Sequence, residues 1–165
     1  MRRASLIAVL SLSLVALAAA PVSAAGPEHS KFSGFVIDFP DGLVCDFPVR
    51  WDVHAAGNEL VFPVRANGDQ VVRQAGRNTV TVSNLATGAT FDIQGGTRQD
   101  FVFHADGTID VIISGHAIAG YFPTDIGGPS MWLFRGHLND LVDGTFTLIA
   151  HSFSGNATDL CAALS

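Results

Sequence analysis

Six histidines are the residues of this sequence best suited to chemistry: His29, His54, His104, His116, His137 and His151. An imidazole titrates near neutral pH, so it can serve as an acid, a base or a metal ligand. No two of them are spaced i, i+2 or i, i+4, the spacings that direct two imidazoles of one element at one metal ion. The sequence therefore predicts no metal site within a single element, and histidines satisfied by hydrogen bonds or water are the expected majority.

His151 is the sharpest candidate among them, and its prediction depends on the register of one hairpin. If Asp143-Gly144 forms a two-residue turn, Gly136 lies opposite His151 on a face that also carries Trp132 and Phe134. That face is apolar, and a glycine opposite the imidazole leaves room beside it. A buried histidine next to a gap could hold a ligand or act as a base. We predict a ligand-binding site at His151, Gly136 and Trp132, with a core histidine bonded to a backbone carbonyl as the alternative.

Other motifs favour no catalytic chemistry. The segment 106–110 lacks the alternating oxygen ligands and distal glutamate of a calcium loop, and Asp106-Gly107 is a usual hairpin turn. Aspartates are plentiful but fall mostly in predicted turns, and only Glu28 and Glu59 supply glutamate, a poor basis for the facing carboxylates of a glycosidase. No G-x-S-x-G motif is present, and Ser130 stands alone. We predict no catalytic residue, no metal and no cofactor.

The first 24 residues have the layout of a secretory signal. Arg2 and Arg3 precede an uncharged apolar run, Ala4 to Ala20, and Val22-Ser23-Ala24 supplies small residues for cleavage. A membrane anchor is the alternative, but serines interrupt the run and Pro21 ends it. We expect a secreted protein, in the cell envelope or outside the cell, that starts near Ala25 and keeps no membrane anchor.

The two cysteines, Cys45 and Cys161, both lie after the signal. Exported chains with two cysteines usually pair them, and neither belongs to a CxxC motif of redox proteins. Closing a loop of about 117 residues would stabilise the fold by roughly 4–5 kcal/mol in the chain-entropy model. The sequence therefore predicts a structural disulfide.

The composition of the chain after the signal limits the kinds of partner that the protein can bind. Residues 25–165 are enough for one domain with a core of its own. Seven Lys and Arg remain there against 15 Asp and Glu, a net charge of −8. Such an acidic chain without a basic run has no means of neutralising phosphates, which argues against nucleic acid and anionic membranes as partners.

The elements that must position these residues are predicted to be almost entirely strands. Turn signals recur every 8–12 residues or so, which is typical of barrels and sandwiches. The runs between them, rich in Val, Ile, Phe and Thr, predict ten strands, near 32–39, 47–54, 59–65, 70–73, 78–84, 89–95, 99–105, 108–119, 131–139 and 145–153. Only 158–164 predicts a helical turn, which carries Cys161. We expect an antiparallel meandering β-barrel, with a Greek-key β-sandwich as the alternative.

The clearest hairpin runs from Asn78 to Gly96. A two-residue turn at Thr87-Gly88 would place Val82 opposite Ile93. Valines, Phe91 and Ile93 then share one face, while threonines, Ser83 and Asp92 share the other. One apolar and one polar face are typical of an antiparallel sheet that covers a core on one side.

Three stretches resemble a family of uncharacterised secreted actinobacterial proteins. They are Leu43 to Val49, which contains Cys45, Asn78 to Thr90, and the tail from Thr158 to Leu164, which contains Cys161. The resemblance spans most of the chain after the signal. It implies the same β-rich fold and the Cys45–Cys161 disulfide, and it implies no activity.

Three function classes remain open. The first is a binding module that holds a small apolar molecule, consistent with 12 phenylalanines and many glycines that could open internal space. The second is a barrel enzyme, an isomerase or cyclase, that uses an inward histidine or aspartate. The third is a cell-envelope interaction protein without a pocket. The sequence favours a protein that is not an enzyme, and it does not fix the oligomeric state.

Overall fold

A computed structural model describes residues 26–165, so the predicted signal at 1–24 lies outside the described residues. Seven antiparallel strands and one short helix make up the fold: β1 (Glu28–Phe39), β2 (Val49–Val61), β3 (Gln70–Asn84), β4 (Thr90–Phe103), β5 (Ile109–Tyr121), β6 (Ser130–Val142), β7 (Leu148–Asp159) and α1 (Leu160–Ala163). The prediction of an all-β fold with a helical turn at Cys161 is confirmed.

The strand count of ten is wrong, because three pairs of predicted strands are single long strands. The segments 47–54 and 59–65 belong to β2, 70–73 and 78–84 to β3, and 89–95 and 99–105 to β4. Glycines were the cause of the error. Gly57, Gly76 and Gly95-Gly96 are typical turn residues, but here they lie in the middle of strands.

The strands form one sheet in the order in which they occur along the chain, β1 to β7. Each neighbouring pair is antiparallel, so the predicted short meandering connections are present and the order contains no Greek-key connection. The sheet is not closed among the described residues, since β1 and β7 stand at its two ends. A closed barrel is therefore not confirmed.

A row of glycines crosses the sheet near the middle of every strand. It consists of Gly34, Gly57, Gly76, Gly95, Gly96, Gly115, Gly136 and Gly155. Cross-strand neighbours in the row include Gly57 with Gly76 and Gly136 with Gly155. A Cβ on Gly76 would lie 2.5 Å from the Ala56 carbonyl oxygen, and one on Gly136 would overlap that of Ser154. Glycine at such positions permits a close backbone approach and a sharp bend.

The β5–β6 ladder folds back on itself at this row. Tyr121 pairs with Ser130 at one end of the ladder, and Asp140 lies ten residues further along β6. Ten extended residues span about 33 Å, yet Tyr121 Oη lies 3.1 Å from Asp140 Oδ2. The two halves of this ladder must therefore face each other across the bend.

Two hydrophobic clusters fill the folded sheet. In the first, Met131 and Leu133 of β6 pack with valines of β2 and β3 and with Leu160 and Leu164 of the tail. The second lies on the opposite face of β6, where Phe134 and Leu138 pack with residues of β5 and β7. Because the strands bend, β6 has buried residues on both of its faces, Met131 and Leu133 on one and Phe134 and Leu138 on the other.

The predicted disulfide is confirmed as a pairing. Cys45 and Cys161 stand at disulfide distance with their Cα atoms 5.5 Å apart. Buried Val44 and Leu160 flank the two cysteines within the first cluster. The link ties the loop between β1 and β2 to the helix at the end of the chain.

The β3–β4 hairpin has its predicted faces but not its predicted register. Val82 pairs with Phe91 rather than with Ile93. Asn84 closes a four-residue loop instead of a two-residue turn, because its Oδ1 accepts hydrogen bonds from the backbone N–H groups of Ala86 and Thr87. The register moves by two residues, and an even shift keeps every side chain on its face.

Candidate functional site

A cavity of about 210 Å³ lies against the inner face of strands β1 to β5. Its walls are largely apolar, with Phe32 and Trp51 as aromatic members and Val53, Val80 and Ile93 as buried aliphatic ones. Polar side chains also reach it: Gln74, Asn78, Thr97, Gln99 and His116. Apolar walls with a few polar groups are typical of small-molecule sites.

Asn78, Thr97 and His116 converge at the point where the glycine row passes the cavity. Asn78 pairs across the ladder with Gly95, and the His116 side chain covers Gly95. Asn78 Nδ2 lies 3.4 Å from Thr97 Oγ1, and Thr97 Oγ1 donates a hydrogen bond to the His116 carbonyl oxygen. Three polar residues from three strands thus meet at one wall.

Glycines make this position of His116 possible. A Cβ on Gly95 would lie 2.6 Å from His116 Nδ1 and 2.8 Å from its Cβ, so any other residue at 95 would displace the imidazole. Gly115, the residue before His116, has a φ of +109°, which side chains other than hydrogen rarely allow. The half-buried His116 ring is held by a hydrogen bond of 3.0 Å between Nδ1 and the Gln94 carbonyl oxygen.

The register predicted for His151 is wrong. Gly136 pairs with Gly155, and His151 pairs with Asp140, four residues from the predicted partner. The turn is longer than two residues, because the Asp143 carboxylate accepts hydrogen bonds from the backbone of Thr145 and Thr147, and the ladder contains an irregularity at Leu141/Val142.

The even shift leaves His151 on the predicted face, beside aromatic rings, but the residue is exposed and not buried as predicted. The ring centroids of Tyr121 and Phe134 lie 5.7 Å and 5.8 Å from that of His151. The predicted gap is absent, since the Ser154 carbonyl occupies the space where a side chain at Gly136 would lie. Trp132 pairs with Asp159, and none of His151, Gly136 and Trp132 lines the cavity. Their ligand-binding role stays a prediction.

His151 belongs instead to a cluster around a buried carboxylate. Asp140 is 7% exposed, His151 Nδ1 lies 2.6 Å from its Oδ1, and Tyr121 Oη donates to its Oδ2. Burial raises the pKa of Asp140, and the hydrogen bond with His151 opposes that rise. Burial and the Asp140 charge raise the pKa of Tyr121. This cluster joins the two halves of the folded ladder, which is a structural role.

A second histidine, His104, bridges two carboxylates at the β4–β5 turn. Its Nδ1 lies 3.2 Å from Asp69 Oδ1 and its Nε2 lies 3.0 Å from Asp110 Oδ2. Hydrogen bonds to Asp110 and then to Asp69 raise the pKa of His104. Among residues 26–165 no group of three or more His, Cys, Asp or Glu side chains is arranged to hold a metal ion.

Sequence reasoning missed the residues around the cavity. Asn78 and His116 lie on strands at positions that no motif distinguishes, and Phe32 and Trp51 look like ordinary core residues. The signal that could have found them is the recurrence of glycine within β-rich runs, above all the Gly95-Gly96 pair. Such glycines mark close backbone approach as well as turns.

No family model, no curated protein and no solved structure matches this chain. The resemblance to secreted actinobacterial proteins therefore stays a prediction. Within the described residues, no helix has the length and apolar character needed to span a bilayer.

Proposed function

We propose that this protein is an exported binding module that holds a small, mainly apolar molecule of about one ring in its cavity. The observation that carries the proposal is the cavity of about 210 Å³ between Phe32, Trp51 and aliphatic side chains. An apolar protein cavity of about 150 Å³ accommodates benzene. Drug-sized ligands occupy sites of roughly 300–1,000 Å³, so a smaller molecule fits best.

The side chains around the cavity favour binding over catalysis. An isomerase or cyclase would need an acid and a base at the reacting atoms. Among the described residues that line this cavity, His116 is the one ionisable side chain, and no Asp or Glu accompanies it. A protein that acts only through its surface would have no need of a cavity with aromatic walls.

Export is part of the proposal. The amino-terminal segment has the layout of a signal peptide, and the cysteine pair is compatible with an oxidising compartment. Intact mass of protein recovered outside the cytoplasm should correspond to a chain that starts at Ala25 or Gly26. A mass that retains the apolar segment would contradict export by cleavage.

Binding is tested by titrating the protein with para-xylene. Trp51 lines the cavity and Trp132 does not, so a Trp132→Phe variant leaves one reporter at the site. We expect a saturable change in Trp51 fluorescence with a submillimolar to millimolar dissociation constant, since a molecule this small gains little binding energy.

Filling the cavity provides the decisive comparison. Ala55→Leu adds volume inside it and should abolish the saturable change. Ala56→Leu is the matched control, because Ala56 is the next residue of β2 and is exposed on the other face. Equal binding by both variants, or no saturable change in the Trp132→Phe protein, would overturn the proposed function.

A further inference from the structure

Strand β1 has one edge to which no other strand is bonded. It stands first in the sheet and, among the described residues, pairs only with β2. Its residues Phe35, Val36 and Ile37 are 50%, 57% and 40% exposed. A free edge presents unpaired backbone N–H and C=O groups, and an exposed apolar edge is a ready template for another strand. A strand added there would pair this backbone and cover part of the three side chains.

The side chains of β1 change faces at Gly34. Phe32 and Phe35 both line the cavity although they are three residues apart, whereas strict alternation would place them on opposite faces. The register between β1 and β2 shifts between Ser33 and Phe35, and a Cβ on Gly34 would overlap the Val53 carbonyl oxygen. The alternation of the strand is therefore reversed at this one point.

This change of face limits how a second copy of β1 could pair with the first. A two-fold axis perpendicular to the sheet pairs the two strands antiparallel, with opposite residues on the same face. In a regular strand, residues on one face are separated by an even number of positions. Across Gly34 the separation becomes odd, so the axis must pass directly beside Gly34, on one side of it or the other.

The charges of β1 favour one of these two positions. Lys31 and Asp38 are exposed, and by alternation from the residues that line the cavity both lie on the face that points away from it. With the axis between Gly34 and Phe35, Lys31 lies opposite Asp38 of the second copy, and the symmetry repeats this ion pair. With the axis on the other side of Gly34, Lys31 lies opposite the apolar Val36.

The Asp38 carboxylate can accept the second copy's lysine in addition to its present partner. It accepts hydrogen bonds from Arg50 at 2.7 Å and 2.8 Å, and a carboxylate has about four lone-pair sites. A lysine on an edge strand normally keeps other strands away. In this register the same lysine meets a carboxylate, so it permits a second copy of β1 while it discourages other strands.

We propose that the free edge of β1 is an interface for a second copy of this chain, with the two β1 strands paired antiparallel about an axis between Gly34 and Phe35. The interface is independent of the proposed binding function. Each copy uses its β1 edge once, so the assembly closes as a dimer, whereas pairing of β1 with β7 of another copy would extend without end. The acidic net charge of each copy opposes association, so we expect a dissociation constant between micromolar and millimolar.

Sedimentation of the exported chain over a range of concentrations tests the interface. The native protein should form dimers and nothing larger. Lys31→Glu and Asp38→Lys should each weaken the dimer about tenfold or more, because two ion pairs become two like-charge contacts. In an equal mixture the two variants should form a mixed dimer as tight as the native one, since every altered charge then faces its opposite.

Arg65→Glu is the matched control, because Arg65 is exposed in the loop between β2 and β3 and its substitution changes the net charge as much as Lys31→Glu does. This variant should dimerise like the native protein. Asp38→Lys gives up an exposed ion pair with Arg50, which contributes little to stability, and circular dichroism checks that each variant keeps its strands. A native protein that stays monomeric at millimolar concentration, assemblies larger than a dimer, or a mixture that restores no dimer would each overturn the proposal.

Discussion

His104 is the residue whose titration should be visible in the stability of the protein. Its two carboxylate partners favour the protonated ring and raise its pKa above the ordinary 6.5. Protonated His104 therefore stabilises the fold below about pH 6.5, and this contribution is lost as the pH rises through the raised pKa. We expect the unfolding free energy of the native protein to fall over that window, and that of His104→Gln to fall less. Urea unfolding between about pH 6 and about pH 9 measures the difference.

Asp69, in the same cluster, should give a pH dependence of stability with the opposite sign. Burial alone would raise the pKa of Asp69, but hydrogen bonds from Asn67 and His104 outweigh it and lower the pKa. Its contribution is therefore present above about 3.8 and is lost as the pH falls through the lowered value. His29→Gln is the control, because His29 is exposed. Parallel pH profiles for the native protein and His104→Gln would contradict the assignment.

Asp140 should respond differently to loss of its charge and to loss of its hydrogen bonds. Asp140→Asn keeps an acceptor for Tyr121 and a polar partner for His151, and it removes a buried charge. We expect it to change the unfolding free energy by less than about 1 kcal/mol near neutral pH. Asp140→Leu leaves the buried Tyr121 hydroxyl without its acceptor and should cost about 1–3 kcal/mol. Equal destabilisation by the two variants in urea would show that the charge itself is required.

The residues of the candidate site could not be predicted from their types, and the reason is physical. His151 was placed on the correct face, because an even shift of register preserves faces. The cross-strand partner predicted for His151 was wrong, because the Asp143 side chain closes a longer turn than Asp-Gly usually forms. His116 reaches the cavity only because Gly95 has no side chain, and such a long-range fit leaves no periodic pattern.

At the scale of the strand, the glycine row should be intolerant of side chains wherever backbone lies close. A Cβ on Gly76 would lie 2.5 Å from the Ala56 carbonyl oxygen and 2.8 Å from the Gly57 Cα. We expect Gly76→Ala to destabilise the protein by more than about 2 kcal/mol. Gly115→Ala should do the same, because its φ of +109° disfavours a side chain. Thermal and urea unfolding give these values.

Gly96→Ala is the matched control within the row. A Cβ there meets only the Gly76 carbonyl oxygen, at an ordinary 3.7 Å. This variant should stay within about 0.5 kcal/mol of the native protein. A loss as large as that of Gly76→Ala would mean that glycine is needed for backbone freedom along the row and not for the close approach of strands.

The strands themselves were predictable from composition, whereas their lengths were not. Val, Ile, Phe and Thr identified nearly every strand segment, and the β3–β4 faces follow from simple alternation. In a β protein, glycine occurs both in turns and at bends within strands. Local sequence does not separate them, so β2, β3 and β4 were each divided at their glycines.

At the scale of the molecule, the disulfide holds two buried segments together across 116 residues of sequence. Replacing Cys45 and Cys161 with alanine should lower the unfolding free energy by about 2–5 kcal/mol, mainly because the unfolded chain becomes less restricted. The far-ultraviolet circular dichroism should keep its strand signature. Native protein unfolded with reductant serves as the control, and a loss below about 1 kcal/mol in both would contradict a stabilising link.

The sequence was enough to predict an antiparallel β-meander, but not whether the sheet closes or bends. Turn spacing and the lack of crossover helices indicated an antiparallel meander, and sequential strand order agrees with it. Such a sheet can close, or it can bend over itself as the β5–β6 ladder does. The outcome depends on which residues of each strand pack into which hydrophobic cluster. On β6 one face is apolar at Met131 and Leu133 and then polar at Arg135, His137 and Asn139, so the sequence of this strand does not decide between the two outcomes.

The most direct test of the proposed binding function is the methyl spectrum of the protein during a titration with para-xylene. We predict saturable shifts confined to methyl groups that line the cavity, among them those of Val53, Val80 and Ile93. The exposed Val36 and Ile37 of β1 should not move with them. Shifts that are largest at Val36 and Ile37, or no saturable shift at any methyl group of the cavity, would contradict the account.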